Sequence, residues 1–102
     1  MARLWYVIEG RDGADGAARR VALRPAHLAR ARALQDEGRL LAAGPFPRVD
    51  AATLEAGVSG SLLIAAFDSL QAAEQWWAAD PYVQGGVFSE TSVRPWLTVL
   101  PA

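Results

Sequence analysis

The sequence predicts an α+β fold of the ferredoxin-like kind, βαββαβ, with a four-stranded antiparallel sheet. Two observations carry this: four stretches have strand composition, and two helix-forming stretches fall between the first and second and between the third and fourth of them. The run Leu4-Trp5-Tyr6-Val7-Ile8 is dense in β-branched and aromatic residues and gives way to Gly10 and the Asp12-Gly13 and Asp15-Gly16 turn pairs, so it reads as a buried first strand. A helix is predicted over residues 25–37, with Pro25 as a first helical residue and Gly38 as its stop. Arg39-Leu40-Leu41-Ala42-Ala43-Gly44 forms the second strand, expected to end where Pro45 and Pro47 interrupt a ladder. Residues 48–60 read as a loop. Residues 61–67 form the third strand, Asp68 or Ser69 caps the second helix, and that helix should stop near Ala79 because Pro81 disfavours helical backbone at Asp80. Residues 92–100 form the last strand, placed at an edge by Pro95.

At 102 residues the chain is the size of one domain, 1–102, because halves of that length would not bury a core. With 52% apolar and 21% charged residues it carries more hydrophobicity than so small a surface needs, which points to a partner subunit. A four-stranded sheet with both helices on one side leaves its other face bare, and a second copy packed face to face would hide it. The ten basic and eleven acidic residues are interspersed, so no face is expected to bind nucleic acid. The absence of cysteine excludes a disulfide framework, a thiolate metal site and a cysteine nucleophile. No apolar run approaches the roughly 20 residues that span a bilayer, so no membrane contact and a cytoplasmic location are expected.

His27 is the single histidine, the residue type whose ordinary pKa lies nearest neutrality. On a helix it falls within about 20° of Leu34 and so points with the buried stripe. It is either a core histidine satisfied by one hydrogen bond or an acid/base group. Asp36 lies half a turn out of phase with it, which excludes a pair within the helix and leaves Asp36 and Glu37 to the solvated charges of Arg30, Arg32 and Arg39. Asp80 either ends a helix or caps the turn after it, or turns inward beside Trp76 and Trp77. Arg24 is either a surface arginine or a fixed cation for an anionic substrate. Gly44-Pro45 is a turn or a place where a ligand approaches backbone. Trp5, Trp76, Trp77 and Trp96 belong to a core or an interface, or wall a pocket. Gly85-Gly86 lacks any phosphate-loop spacing, and no acidic or histidine cluster has metal-ligand spacing, so neither cofactor nor metal is expected.

The segment from Leu23-Arg24-Pro25-Ala26-His27 through Asp36-Glu37-Gly38-Arg39 to Ala43-Gly44-Pro45 resembles the YCII-related family, and Asp80-Pro81-Tyr82-Val83, Gly85-Gly86-Val87-Phe88 and Val93-Arg94-Pro95-Trp96 extend the resemblance over nearly the whole chain. It implies a dimeric α/β barrel and an active site centred on a histidine and an aspartate, which map onto His27 and Asp80. Arg24, Gly44, Pro45 and Tyr82 are the expected substrate-binding residues beside them. The expected function is a small-molecule enzyme, lyase- or hydrolase-like, with a His-Asp acid/base site in the cleft of a homodimer. The alternative is a non-catalytic small-ligand-binding or accessory module. The glycine- and alanine-rich stretch 10–18 and the bulky Trp77 and Trp96 depart from the family pattern and leave the substrate open.

Overall fold

Alternation along two central strands fixes the layers of the molecule. In the computed structural model, which describes residues 2–101, β1 spans Leu4–Asp12, α1 Gly16–Asp36, β2 Leu40–Pro47, β3 Val58–Ala65, α2 Leu70–Ala78, the short α3 Pro81–Gln84, and β4 Phe88–Leu97. All pairings are antiparallel, in the order β2-β3-β1-β4. Tyr6 and Ile8 of β1 and Leu63 of β3 point to one face, with Leu63 and Val93 of β4 opposite Ile8 on its two sides. Against that face pack Ala31 of α1 and Ala73 and Trp77 of α2, so both helices lie on the same side. Full burial of side chains such as Ile8 and Leu63 stabilises the fold by about 1.5–3 kcal/mol each. The Trp77 indole donates to the Glu9 carbonyl at 3.1 Å, so the polar edge of this large core residue is satisfied. This is the ferredoxin-like α+β fold expected from the element order.

Several boundaries differ from those read in the sequence, each for a physical reason. Helix α1 begins at Gly16, nine residues before Pro25, which lies inside it. The Val21 carbonyl that loses its partner there belongs to a residue 78% exposed, so the loss does not strand a polar group in the core. Strand β2 continues through Pro45 and Pro47 because it is a sheet edge. The two prolines are two residues apart, so both missing N–H groups fall on the same free side. Strand β1 runs past Gly10 because the Phe88 ring covers that residue; an added Cβ would lie 2.6 Å from ring carbons. Residues 58–60 belong to β3 and residues 88–91 to β4, while β3 stops at Ala65 and β4 at Leu97.

Other terminators follow the sequence. Gly38 takes φ +71°, and the Arg39 N–H donates to the Leu34 carbonyl at 2.9 Å, closing α1. Ser69 caps α2 by accepting from the Ala72 N–H at 3.0 Å. The opposite face of the sheet carries half-buried Val7, Leu62 and Ile64, with Phe46 and Trp96 about 40% exposed. Among the described residues, no helix is long and apolar enough to cross a membrane.

Candidate functional site

The early start of α1 determines the site. With the helix running from Gly16, Arg20, Arg24, His27 and Ala31 fall at spacings of four, three and four and form one stripe along it. That stripe faces β2 and β3 across a cleft of about 210 Å3. Small side chains keep it open: Ala31 on the helix faces Ala43 on the strand. Leu54, from the connection between β2 and β3, and Val58 form its apolar rim.

His27 is 8% exposed, and its Nδ1 lies 2.8 Å from Oδ2 of Asp80, which is fully buried. Asp80 reaches it because Pro81 ends the preceding helix and turns the chain into α3, where Asp80 is the N-cap and its Oδ2 also accepts from the Tyr82 N–H at 3.0 Å. Its Oδ1 accepts from Arg30 Nη1 at 3.1 Å, and Arg30 donates in turn to the Trp76 carbonyl at 3.0 Å. A carboxylate gathering backbone and guanidinium donors acts as an acceptor, so Nδ1 of His27 carries the proton and donates. In the neutral ring the lone pair is then on Nε2. Every buried side-chain nitrogen and oxygen among the described residues is hydrogen-bonded, so Nε2, which has no protein partner, is not sealed from solvent, and His27 is a lining residue of the cleft.

The ring is held in plane as well as at its edge. Tyr82 stacks on it with centroids 4.0 Å apart and planes 13° apart, and Trp77 meets it edge-on at 6.4 Å. On its other side Tyr82 carries the Arg20 guanidinium, 4.8 Å from its centroid. Arg20 is fixed by two bonds to Asp12, Nε to Oδ2 at 2.8 Å and Nη2 to Oδ1 at 2.7 Å, and Nη2 also donates to Ser61 Oγ at 2.9 Å. Burial works against the charge on Arg20, but Asp12 and Tyr82 outweigh it and raise the guanidinium pKa above its ordinary value. Burial pushes the Tyr82 phenol above 10.0, and Arg20 and Arg24 pull it back only in part.

The residues singled out in the sequence converge on this cleft. Arg24, His27, Gly44, Pro45 and Tyr82 line it, and Asp80 stands behind His27. Gly44 contributes backbone; an added Cβ there would meet nothing within 4 Å, so the cleft does not require glycine. Arg30 is not one of the solvated charges beside Asp36 and Glu37 but the cation of Asp80, while Glu37 pairs with Arg39 at 2.8 Å. Of the tryptophans, Trp77 is core and Trp5 buried, and none lines the cleft. Sequence reasoning missed Arg20, Asp12 and Ser61. Arg20 was detectable as the residue one helical turn before Arg24, had the helix been extended through Pro25. Among the described residues no three histidine, aspartate or glutamate side chains gather as metal ligands.

Residues 4–97 match the YCII-related domain. The chain belongs to the YCII-related family. It is 53% identical over 95 residues to the protein YciI of Escherichia coli O6:H1, covering 92% of this chain and 97% of that protein. An uncharacterized protein of Haemophilus influenzae is 46% identical over 97 residues, covering 94% and 99%. Among solved structures, this YCII-related chain is similar to the 5-chloro-2-hydroxyhydroquinone dehydrochlorinase of Burkholderia phenoliruptrix in complex with 2,5-dihydroxybenzoquinone. The TM-score is 0.80 at 25% identity, over 90% of this chain and 92% of that one. A NIPSNAP domain protein of Burkholderia xenovorans shares the fold, with a TM-score of 0.53 at 14% identity over 98% of each chain.

Proposed function

We propose that this YCII-related protein is a small-molecule enzyme in which His27 Nε2 is the general base and Asp80 orients the ring and stabilises the imidazolium formed. The observation that carries the reading is an imidazole clamped on Nδ1 and on one ring face, with an unpartnered Nε2, on a residue that lines a cleft. Asp80 is a positioning residue. Tyr82 and Pro45 are wall residues of the substrate site, Gly44 presents backbone to it, and Arg24 stands on its helix side. A cleft of about 210 Å3 lies below the roughly 300–1,000 Å3 of pockets for drug-sized ligands and suits a small substrate. The likeness to a dehydrochlorinase supports elimination chemistry of the lyase kind, in which a base takes a proton and chloride leaves. We place the protein in the cytoplasm as a homodimer that covers the outer sheet face, because uncovered apolar patches above a few hundred Å2 are rare on monomers. Sedimentation at micromolar concentration should give twice the 10.9 kDa chain mass; a monomer would end that part of the reading.

The catalytic reading is tested by chloride release and solvent-deuterium exchange over small hydroxylated aromatic and enolisable compounds, starting with 5-chloro-2-hydroxyhydroquinone. Turnover by wild type should fall by roughly 10²–10⁴ in His27→Ala, the usual contribution of a general base. Turnover unchanged in His27→Ala would remove His27 from the mechanism. Compounds that bind the wild type without exchange or release would instead favour a ligand-binding module.

A further inference from the structure

The charges around the cleft cancel except at one place. Arg20 is neutralised by Asp12, whose side chain is 4% exposed against 12% for Arg20, and its remaining Nη2 donor is taken by Ser61. Arg30 is neutralised by Asp80 behind His27 and is further committed to the Trp76 carbonyl. Neither guanidinium has its charge to spare. Arg24 lines the cleft one helical turn from each of Arg20 and Leu28, and among the described residues it makes no hydrogen bond or ion pair. Its field nonetheless reaches the cleft, since it favours the ionised form of the neighbouring Tyr82 phenol. Among the described residues no carboxylate lines the cleft, whose remaining walls are mainly apolar: Leu28, Leu54, Val58 and Leu63 among them.

A cleft with one unpaired planar cation, no anion and apolar walls selects against cations and against neutral polar molecules. We infer that its ligand is a small organic anion with an apolar body, carrying its charge on a planar oxygen group such as a carboxylate, and that Arg24 binds that group. This deepens the acid/base reading of the same cleft and rests on it for the bound anion being the substrate. The guanidinium fork pairs with two coplanar oxygens, which favours a carboxylate over a tetrahedral group. With the anion on Arg24, the apolar body lies against the leucine and valine walls and under Nε2 of His27.

The test is calorimetric titration of the whole protein with benzoate and its neutral isostere benzamide, in wild type, Arg24→Gln, Arg24→Lys and Arg32→Gln. Arg32 is exposed on the same helix and outside the cleft, and serves as the control for net charge. Benzoate should bind wild type about tenfold or more tighter than benzamide, Arg24→Gln should erase that difference, and Arg24→Lys should keep part of it. Arg32→Gln should leave it unchanged. The preference should shrink between about 0.05 and ~0.5 M salt, because Arg24 is exposed and its ion pair is screened. Equal binding of the two compounds, a benzoate preference that survives in Arg24→Gln, or no saturable benzoate binding at millimolar concentration overturns the inference. Binding is read here without turnover, so benzoate binding together with absent proton exchange would refute catalysis by His27 and support the anion site.

Discussion

Asp80 offers the sharpest perturbation, because its two oxygens carry unequal loads. Oδ2 accepts from His27 and from the Tyr82 backbone, whereas Oδ1 accepts only from Arg30, whose side chain is 28% exposed. An amide at this position has one acceptor oxygen. In Asp80→Asn that oxygen should take the Oδ2 place, preserving two bonds, and the NH2 group should face Arg30, which swings toward water. The cost is one charge-assisted bond, about 1.5–3 kcal/mol when buried, and nearer 1 kcal/mol after allowing for the exposure of Arg30. Asp80→Ala loses all three bonds and leaves the Tyr82 N–H and His27 Nδ1 without partners. Breaking a buried charged group in this way costs about 3–5 kcal/mol. At roughly 4–8 °C per kcal/mol for a domain of this size, the Asn variant should melt several degrees below wild type and the Ala variant on the order of 20 °C below. Nitrogen-15 spectra of the neutral imidazole should show the proton on Nδ1 in wild type and Asp80→Asn, and mixed tautomers in Asp80→Ala. A proton on Nε2 in Asp80→Asn, or equal melting temperatures for the two variants, would refute the account of how the ring is held.

Three further outcomes follow from the packing. Arg20→Met should cost about 2–4 kcal/mol in denaturant unfolding, since it strands the buried Asp12 carboxylate, and adding Asp12→Asn should recover part of the loss. A full loss that Asp12→Asn does not relieve would mean that Arg20 acts through packing on Tyr82 alone. Gly10→Ala should destabilise by about 1–3 kcal/mol, because the new methyl meets the Phe88 ring; a neutral effect would show that the ring moves freely. The alkaline limb reports Tyr82. Its folded pKa is raised, so the native state holds the proton more tightly and this contribution is complete below pH 10.0 and lost as pH climbs through the folded value. The chain has no lysine and two tyrosines, which keeps that window clean. Wild type should therefore lose more stability above pH 10.0 than Tyr82→Phe does, and parallel curves would contradict the burial of the phenol.

The fold was legible because four strand-like and two helix-like stretches follow one another in the βαββαβ order, and the inward direction of His27 followed from its phase with Leu34. What the sequence concealed was set by context. Pro25 is an ordinary helix opener, and the exposed position of Val21 is what makes its lost bond tolerable as the helix runs back to Gly16 and brings Arg20 into the cleft. Pro45 and Pro47 end a central strand but are harmless on an edge, and strand order is not written in local composition. The approach of Asp80 to His27 spans 53 positions and came from family resemblance alone, since no periodicity relates residues on different elements. Local spacing sets Arg30 beside Asp36 and Glu37, and nothing in it points to Asp80, 50 positions along the chain.

Diethyl pyrocarbonate tests directly whether a nearly buried histidine keeps a free nitrogen in the cleft, because His27 is the single histidine. The reagent acylates an accessible, unprotonated imidazole nitrogen. Native wild type should be modified at His27 while remaining folded by circular dichroism, and saturating benzoate should slow the reaction. A ring that reacts only after unfolding would mean that Nε2 faces packed protein, and His27 would then be a core residue and not a base.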